Sequence, residues 1–261
     1  MLRLAACHAV LAGDLPAALT GHPNVETAAP GEPHKATSVA AAYALRAVTA
    51  LPLPPAAAPA LYTFSGPSGS TIHLFDKAWK AAADGRLLGP DFPRRSRRIH
   101  PFTLLLSLHN QVAATLSLEL GLRGPAMNLV DSPAGFVDLL PNLALEATRR
   151  DVLVVFSSAA NRAEERSRLV HETGCEAGLE GAVALLFRAD GGLGSVAQAQ
   201  STDGAVRVRA GAAAPGGGRW PFGPGLEPGC GLLLALADGS GHTRIEVGGD
   251  SHRRCFEWRA G

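Results

Sequence analysis

Cysteine is scarce in this 261-residue chain: Cys7, Cys175, Cys230 and Cys255 are its four, and no two of them form a C-x-x-C pair. That spacing argues against a disulfide framework and against the common zinc ligand patterns, and it suits a reduced, cytoplasmic protein with no metal. Charge is also thin, at 18% of residues with a formal net of +1. A nucleic-acid-binding machine would carry a strongly basic balance instead. No stretch reaches the roughly 20 uninterrupted apolar residues that a membrane-spanning helix requires. The turn Gly66-Pro67-Ser68-Gly69-Ser70 lacks the lysine of a phosphate-cradling loop, so nothing in the sequence calls for a nucleotide or any other cofactor.

What is present is apolar substance. Hydrophobic residues make up 46% of the chain, enough for a sizeable core in one large domain, with or without an appendage. Glycine and proline are abundant, at 30 and 19 residues, and alanine is overused. The N-terminal MLRLAACHAVLAG has one arginine and a short apolar run, as a secretory leader would. The run is interrupted by His8 and followed at once by Asp14, so a first strand of the fold is the better expectation.

Periodicity then predicts a helix over 37–49, a buried strand over 60–64, a helix over 71–83 and two helical pieces within 100–122. A short strand is expected over 127–130 and an amphipathic helix over 136–147, with Phe136, Leu139, Leu140, Leu143 and Ala147 inward. Pro141 must either bend that helix or mark the start of its regular part. The apolar runs 152–156 and 181–188 read as strands buried on both faces. Beyond residue 190 the character changes: 211–218 is an Ala/Pro/Gly tract, and 232–236, 243–247 and 255–259 are short strand candidates. This order indicates an α/β layered domain with a largely parallel sheet. The expected division is a first unit over 1–190 and a short divergent segment over 191–261, packed on the same sheet.

Three stretches together resemble a known family. Phe64-Ser65-Gly66-Pro67-Ser68-Gly69 is a strand-end turn before a helix. His100-Pro101-Phe102-Thr103 is followed by Ser107-Leu108-His109-Asn110, and then by Leu120-Gly121-Leu122-Arg123-Gly124-Pro125. In order and spacing these are similar to the N-terminal half of the β-ketoacyl synthases, which have a thiolase-type fold. The nearest likeness is to the short chain-length-factor subunits of aryl-polyene pigment clusters. The resemblance covers about 61–187, roughly half of the chain. It implies a thiolase-like layered half-domain, with a mostly parallel central sheet and helices on both faces, plus a short degenerate C-terminal segment.

The departures from that family carry as much as the match. A ketosynthase places its nucleophilic cysteine at the start of the helix after the Gly-Pro strand. A helix N-terminus lowers a thiol pKa and offers N–H groups to an oxyanion. This chain runs Val130-Asp131-Ser132-Pro133-Ala134-Gly135-Phe136, so the resemblance puts Ala134 at the nucleophile position. A methyl group cannot accept an acyl chain. The family's two C-terminal histidines, one within His-Gly-Thr-Gly-Thr, and its Gly-rich Asn-x-Gly-Phe-Gly-Gly turn have no counterpart between residues 190 and 261. The resemblance therefore implies a subunit that does not condense by itself. It would pair with an active β-ketoacyl synthase as a heterodimer through Met127, Asn128, Leu129 and Val130, and limit the length of the partner's acyl tunnel.

Other residues admit sharper and plainer readings. Ser132 could replace the missing nucleophile in an acyltransferase or thioesterase, but Ser-Pro at a helix start favours a cap. Cys175, four residues after His171, could suggest a thiol site. Catalytic pairs meet in space rather than in sequence, which favours a loop cysteine. His109 and Asn110 could line a channel, and a structural or interface role is preferred. Arg94, Arg95, Arg97 and Arg98 could dock an acidic acyl carrier protein, against the simpler alternative of a solvated loop. A stand-alone carrier-binding scaffold is the remaining alternative.

Overall fold

The computed structural model describes residues 1–29, 37–53, 58–66, 110–130, 133–159, 179–200, 206–207, 225–239, 241–247 and 253–261. Its strands are β1 (Leu2–Ala12), β2 (Val25–Ala28), β3 (Ala60–Ser65), β4 (Ala126–Val130), β5 (Val152–Ser158), β6 (Glu180–Phe187), β7 (Gly194–Ala199), β8 (Val206–Arg207), β9 (His242–Val247) and β10 (Arg254–Ala260). The described α-helices are α1 (Val39–Thr49), α2 (Gln111–Glu119), α3 (Pro133–Glu146) and α4 (Glu227–Asp238).

The ten strands among the described residues form one sheet in the order β4-β3-β5-β6-β1-β7-β10-β9-β8, with β2 beside β1. The sheet is parallel where β4, β3 and β5 meet. It turns antiparallel from β5 through β6, β1, β7 and β10 to β9. The α/β layered class is as expected; the parallel pairs are β4–β3, β3–β5, β1–β2 and β8–β9, and the other pairs are antiparallel. β1, the apolar N-terminal run, lies in the middle of the sheet between β6 and β7.

Two apolar layers cover the two faces. Period-2 alternation divides β1, β3, β5 and β6 between them: Val152, Val154 and Phe156 of β5 enter one core, and Leu153 and Val155 enter the other. The first core receives Phe136, Leu140 and Leu143 from α3, and Cys230, Leu232 and Leu233 from α4. The second receives Tyr43, Ala44 and Val48 from α1, and Val112 and Leu116 from α2. β5 and β6 are buried along their whole length, as their unbroken apolar runs require. Ser38 caps α1 by accepting from the Ala41 N–H at 3.2 Å, which satisfies one donor of the first turn.

One expectation changes, and one of two alternatives falls away. Residues 232–236 are not a strand but the middle of α4, with Pro228 in its first turn and Gly239 (φ 64°) closing it. Five consecutive apolar residues fit a buried helix as well as a buried strand, and only the flanking Pro and Gly separate the two. Pro141 does not mark the helix start either. α3 begins at Pro133, and Pro141 lies on its exposed side. The helix expected over 71–83 and the first piece of the segment 100–122 lie outside the described residues. β2, β7 and β8 had no clear sequence signal.

Candidate functional site

The site suggested by the sequence is the turn from β4 into α3. What leads into it explains the glycines of the Leu120-to-Pro125 motif. Gly121 takes φ 62° just past α2, and the Leu122 N–H reaches back to the Ser117 carbonyl at 3.0 Å. This is the Schellman way of ending a helix, and it favours glycine. Gly124 has no room for a side chain, since a Cβ there would stand 1.9 Å from the Pro59 carbonyl oxygen. That close approach lets the Pro125 carbonyl accept from the Leu61 N–H at 2.8 Å, which starts the β3–β4 ladder.

β4 is an edge. Among the described residues it pairs with β3 alone, from Leu61 opposite Ala126 to Ser65 opposite Val130. Its burial rises along the strand: Ala126 and Met127 are exposed, and Asn128, Leu129 and Val130 are half-buried. None of the five is charged. Met127 is 47% exposed, and Leu118 on α2 is 81% exposed. Beside Met127 stands Tyr62, whose phenol pKa is raised by burial first and by the Glu146 carboxylate second.

Asn128 is held from its own sheet. Its Oδ1 accepts from Thr63 Oγ1 at 2.6 Å and from Ser65 Oγ at 3.2 Å. Thr63 and Ser65 are buried on the face that α2 covers. One strand further, the Ser157 hydroxyl is buried and has no hydrogen-bond partner among the described residues. The carboxyl ends of β3 and β5 are closed by a distant part of the chain. Gly225 (φ 90°) stands where a Cβ would meet the Gly66 nitrogen at 2.7 Å, and its N–H donates to buried Glu227 Oε2 at 2.6 Å. The sequence hinted at Thr63 and Ser65 through the alternation of Leu61, Thr63 and Ser65 with Tyr62 and Phe64. It carried no signal for Gly225 or Glu227.

α3 starts at Pro133, so Ala134 and Gly135, both half-buried, sit in its first turn. The helix is pinned by Phe136, which meets Phe64, Phe156 and Phe256 edge-on at 5.7, 5.2 and 5.5 Å. Asn110 is exposed at the N-terminus of α2 and makes no side-chain cap there. His109, Asp131, Ser132, Cys175 and the arginines Arg94, Arg95, Arg97 and Arg98 lie outside the described residues. Cys7, Cys230 and Cys255 are buried free thiols. Burial pushes the Cys7 thiol up to about 11 and raises those of Cys230 and Cys255 as well. Among the described residues no cluster of three or more His, Cys, Asp or Glu could hold a metal ion. No described helix is long and apolar enough to cross a membrane.

Comparison with protein-family models and with curated proteins returns no match. Solved structures do match. A chain from the complex of the ketosynthase ApeO with its chain length factor ApeC, from Xenorhabdus doucetiae, superposes with a TM-score of 0.58 at 16% identity. The match covers 99% of this chain and 98% of that one. A chain of the ishigamide ketosynthase/chain length factor superposes with a TM-score of 0.59 at 13% identity, over 86% of this chain and 81% of that one. The chain therefore has the thiolase-like fold of ketosynthases and chain length factors. The first likeness runs through residues beyond 190 as well as the region that carries the sequence motifs.

Proposed function

We propose that this chain is a non-catalytic subunit of chain-length-factor type. It pairs with an active β-ketoacyl synthase in fatty-acid or polyketide-type biosynthesis, of aryl-polyene kind, and limits the length of the acyl chain. The observation that carries the reading is the β4–α3 unit. An uncharged edge strand with no second neighbour among the described residues leads into a helix whose first turn presents Ala134. A ketosynthase needs a thiolate at that turn, because the helix N-terminus stabilises the negative sulfur and the developing oxyanion. A methyl group there leaves carbon–carbon bond formation to another polypeptide.

An uncharged strand with no second neighbour among the described residues also favours a partner, since the free N–H and C=O groups of a sheet edge accept a further strand. In this proposal Met127, Asn128, Leu129 and Val130 form the seam with the ketosynthase. Residues 1–190 supply the ketosynthase-like unit, and 191–261 extend its sheet. Arg94, Arg95, Arg97 and Arg98 attract an acidic acyl carrier protein. The heterodimer works in the cytoplasm.

The test is reconstitution. The chain is co-expressed with a full-length ketosynthase, and the complex is isolated by size exclusion and supplied with carrier-bound starter and extender units. Elongation is expected only when both subunits are present. Elongation by this chain alone, or failure to co-elute with any ketosynthase encoded beside it, defeats the proposal.

A further inference from the structure

We infer that Asn128 selects an unlike partner at the β4 edge and disfavours a second copy of this chain. The inference rests on the pairing with a ketosynthase proposed above and adds the chemistry that chooses the partner.

Asn128 is the central residue of the five-residue strand Ala126–Val130. A two-fold symmetric antiparallel pairing centred on this strand would set Asn128 opposite its own copy on the same face of the joined sheet. Directly opposed Cβ atoms in such a pair are about 4.5–5.5 Å apart, so the two carboxamides would meet. A free asparagine pair would solve this easily, because each amide has an oxygen to offer the other's nitrogen. Here the oxygen is already committed. Both of its lone pairs are used, by Thr63 Oγ1 at 2.6 Å and Ser65 Oγ at 3.2 Å.

Those hydroxyls lie on the buried inner strand, so the carboxamide is aimed with its NH2 group toward the open side. Among the described residues that NH2 has no partner. A like copy would therefore bring donors against donors and bury N–H groups without acceptors, which the desolvation of polar groups penalises. A different strand that carries a hydroxyl, carbonyl or carboxamide oxygen at the opposing position satisfies them. A single polar group in an otherwise apolar seam is a known device for setting register and partner. The neighbouring Met127 and Leu129 supply apolar contact to any partner, and Asn128 supplies the discrimination.

The test uses the full chain and two variants, each checked for a native circular-dichroism spectrum. Thr63→Val with Ser65→Ala releases the amide oxygen, so two copies can pair. Self-association, measured by sedimentation with no ketosynthase present, is expected to strengthen at least fivefold. Asn128→Leu removes the donors, and its affinity for the ketosynthase is expected to fall at least fivefold. A smaller change in either measurement overturns the inference. Failure of the unaltered chain to bind the ketosynthase strikes the proposed function instead, because the sedimentation arm needs no partner.

Discussion

The Tyr43 hydroxyl donates to Glu180 Oε1 at 2.8 Å, joining the middle of α1 to the first residue of β6 across 137 positions of sequence. Both side chains are buried, at 3% and 2% exposure, so this carboxylate depends on protein donors rather than on water. Removing the hydroxyl by Tyr43→Phe should destabilise the fold by about 2 kcal/mol, the scale of a buried hydrogen bond to a charged group. Urea unfolding measures it. A double-mutant cycle with Glu180→Gln that shows no coupling would refute the assignment.

Phe136 anchors the helix that carries Ala134. It is fully buried and touches three aromatic rings from β3, β5 and β10. Phe136→Ala should cost about 3–5 kcal/mol, because the cavity cannot collapse between rings held by three strands. The same variant should loosen the β4–α3 turn, seen as faster amide exchange over 133–137. Unchanged exchange there would separate stability from the site.

Gly229 lies in α4 where an added Cβ would come within 2.8 Å of Phe156 Cδ2 and of Val183 Cβ. Gly229→Ala gains about 1 kcal/mol of helix propensity and loses about 1–3 kcal/mol to overpacking, so a net loss is expected. A thermal midpoint above that of the parent would contradict the packing. Gly239 has open space around it, and its cost under the same change is the left-handed φ of 64° alone.

The buried thiols set an alkaline limit. Cys7 moves from its ordinary value of 9.0 to about 11, and burial is the cause. Between those values the unfolded chain has lost the proton and the folded chain still binds it. Stability is therefore full below about pH 9 and falls as pH rises toward 11. Denaturant midpoints at pH 8 and pH 10.5 test this, and Cys7→Ala should flatten the decline. At pH 8 only about one Cys7 in a thousand is a thiolate, so alkylation of the folded chain should be slow.

Met127 covers the outer part of the edge strand. Met127→Lys places a charge at an uncharged seam, which should weaken the complex with a ketosynthase at least tenfold and keep the isolated chain in solution longer. Unaltered co-elution on size exclusion would move the interface away from β4.

Much of the site was legible from local pattern. The strand over 127–130, the helix after it and the inward Phe136, Leu140 and Leu143 follow from period and caps, which depend on near neighbours. Of the two glycines of the motif, Gly121 is local in cause, since it closes α2, whereas Gly124 answers to the Pro59 backbone, 65 positions away. The error at 232–236 shows the limit of this reasoning. A wholly apolar run has no polar face, so its period vanishes and helix and strand look alike.

Sequence by itself determined the α/β alternation, the apolar runs that must be buried on both faces, and the methyl at Ala134, because these are properties of residues and their spacing. Tertiary structure alone decided that β1 lies at the sheet's centre and that pairing is antiparallel along the path from β5 to β9. It also decided that Gly225 meets Gly66 and that the Asn128 oxygen is taken by Thr63 and Ser65. Each of these joins residues tens to more than a hundred positions apart. Such contacts form only when burial of the whole core outweighs the entropy of closing long loops, and no local pattern encodes that balance.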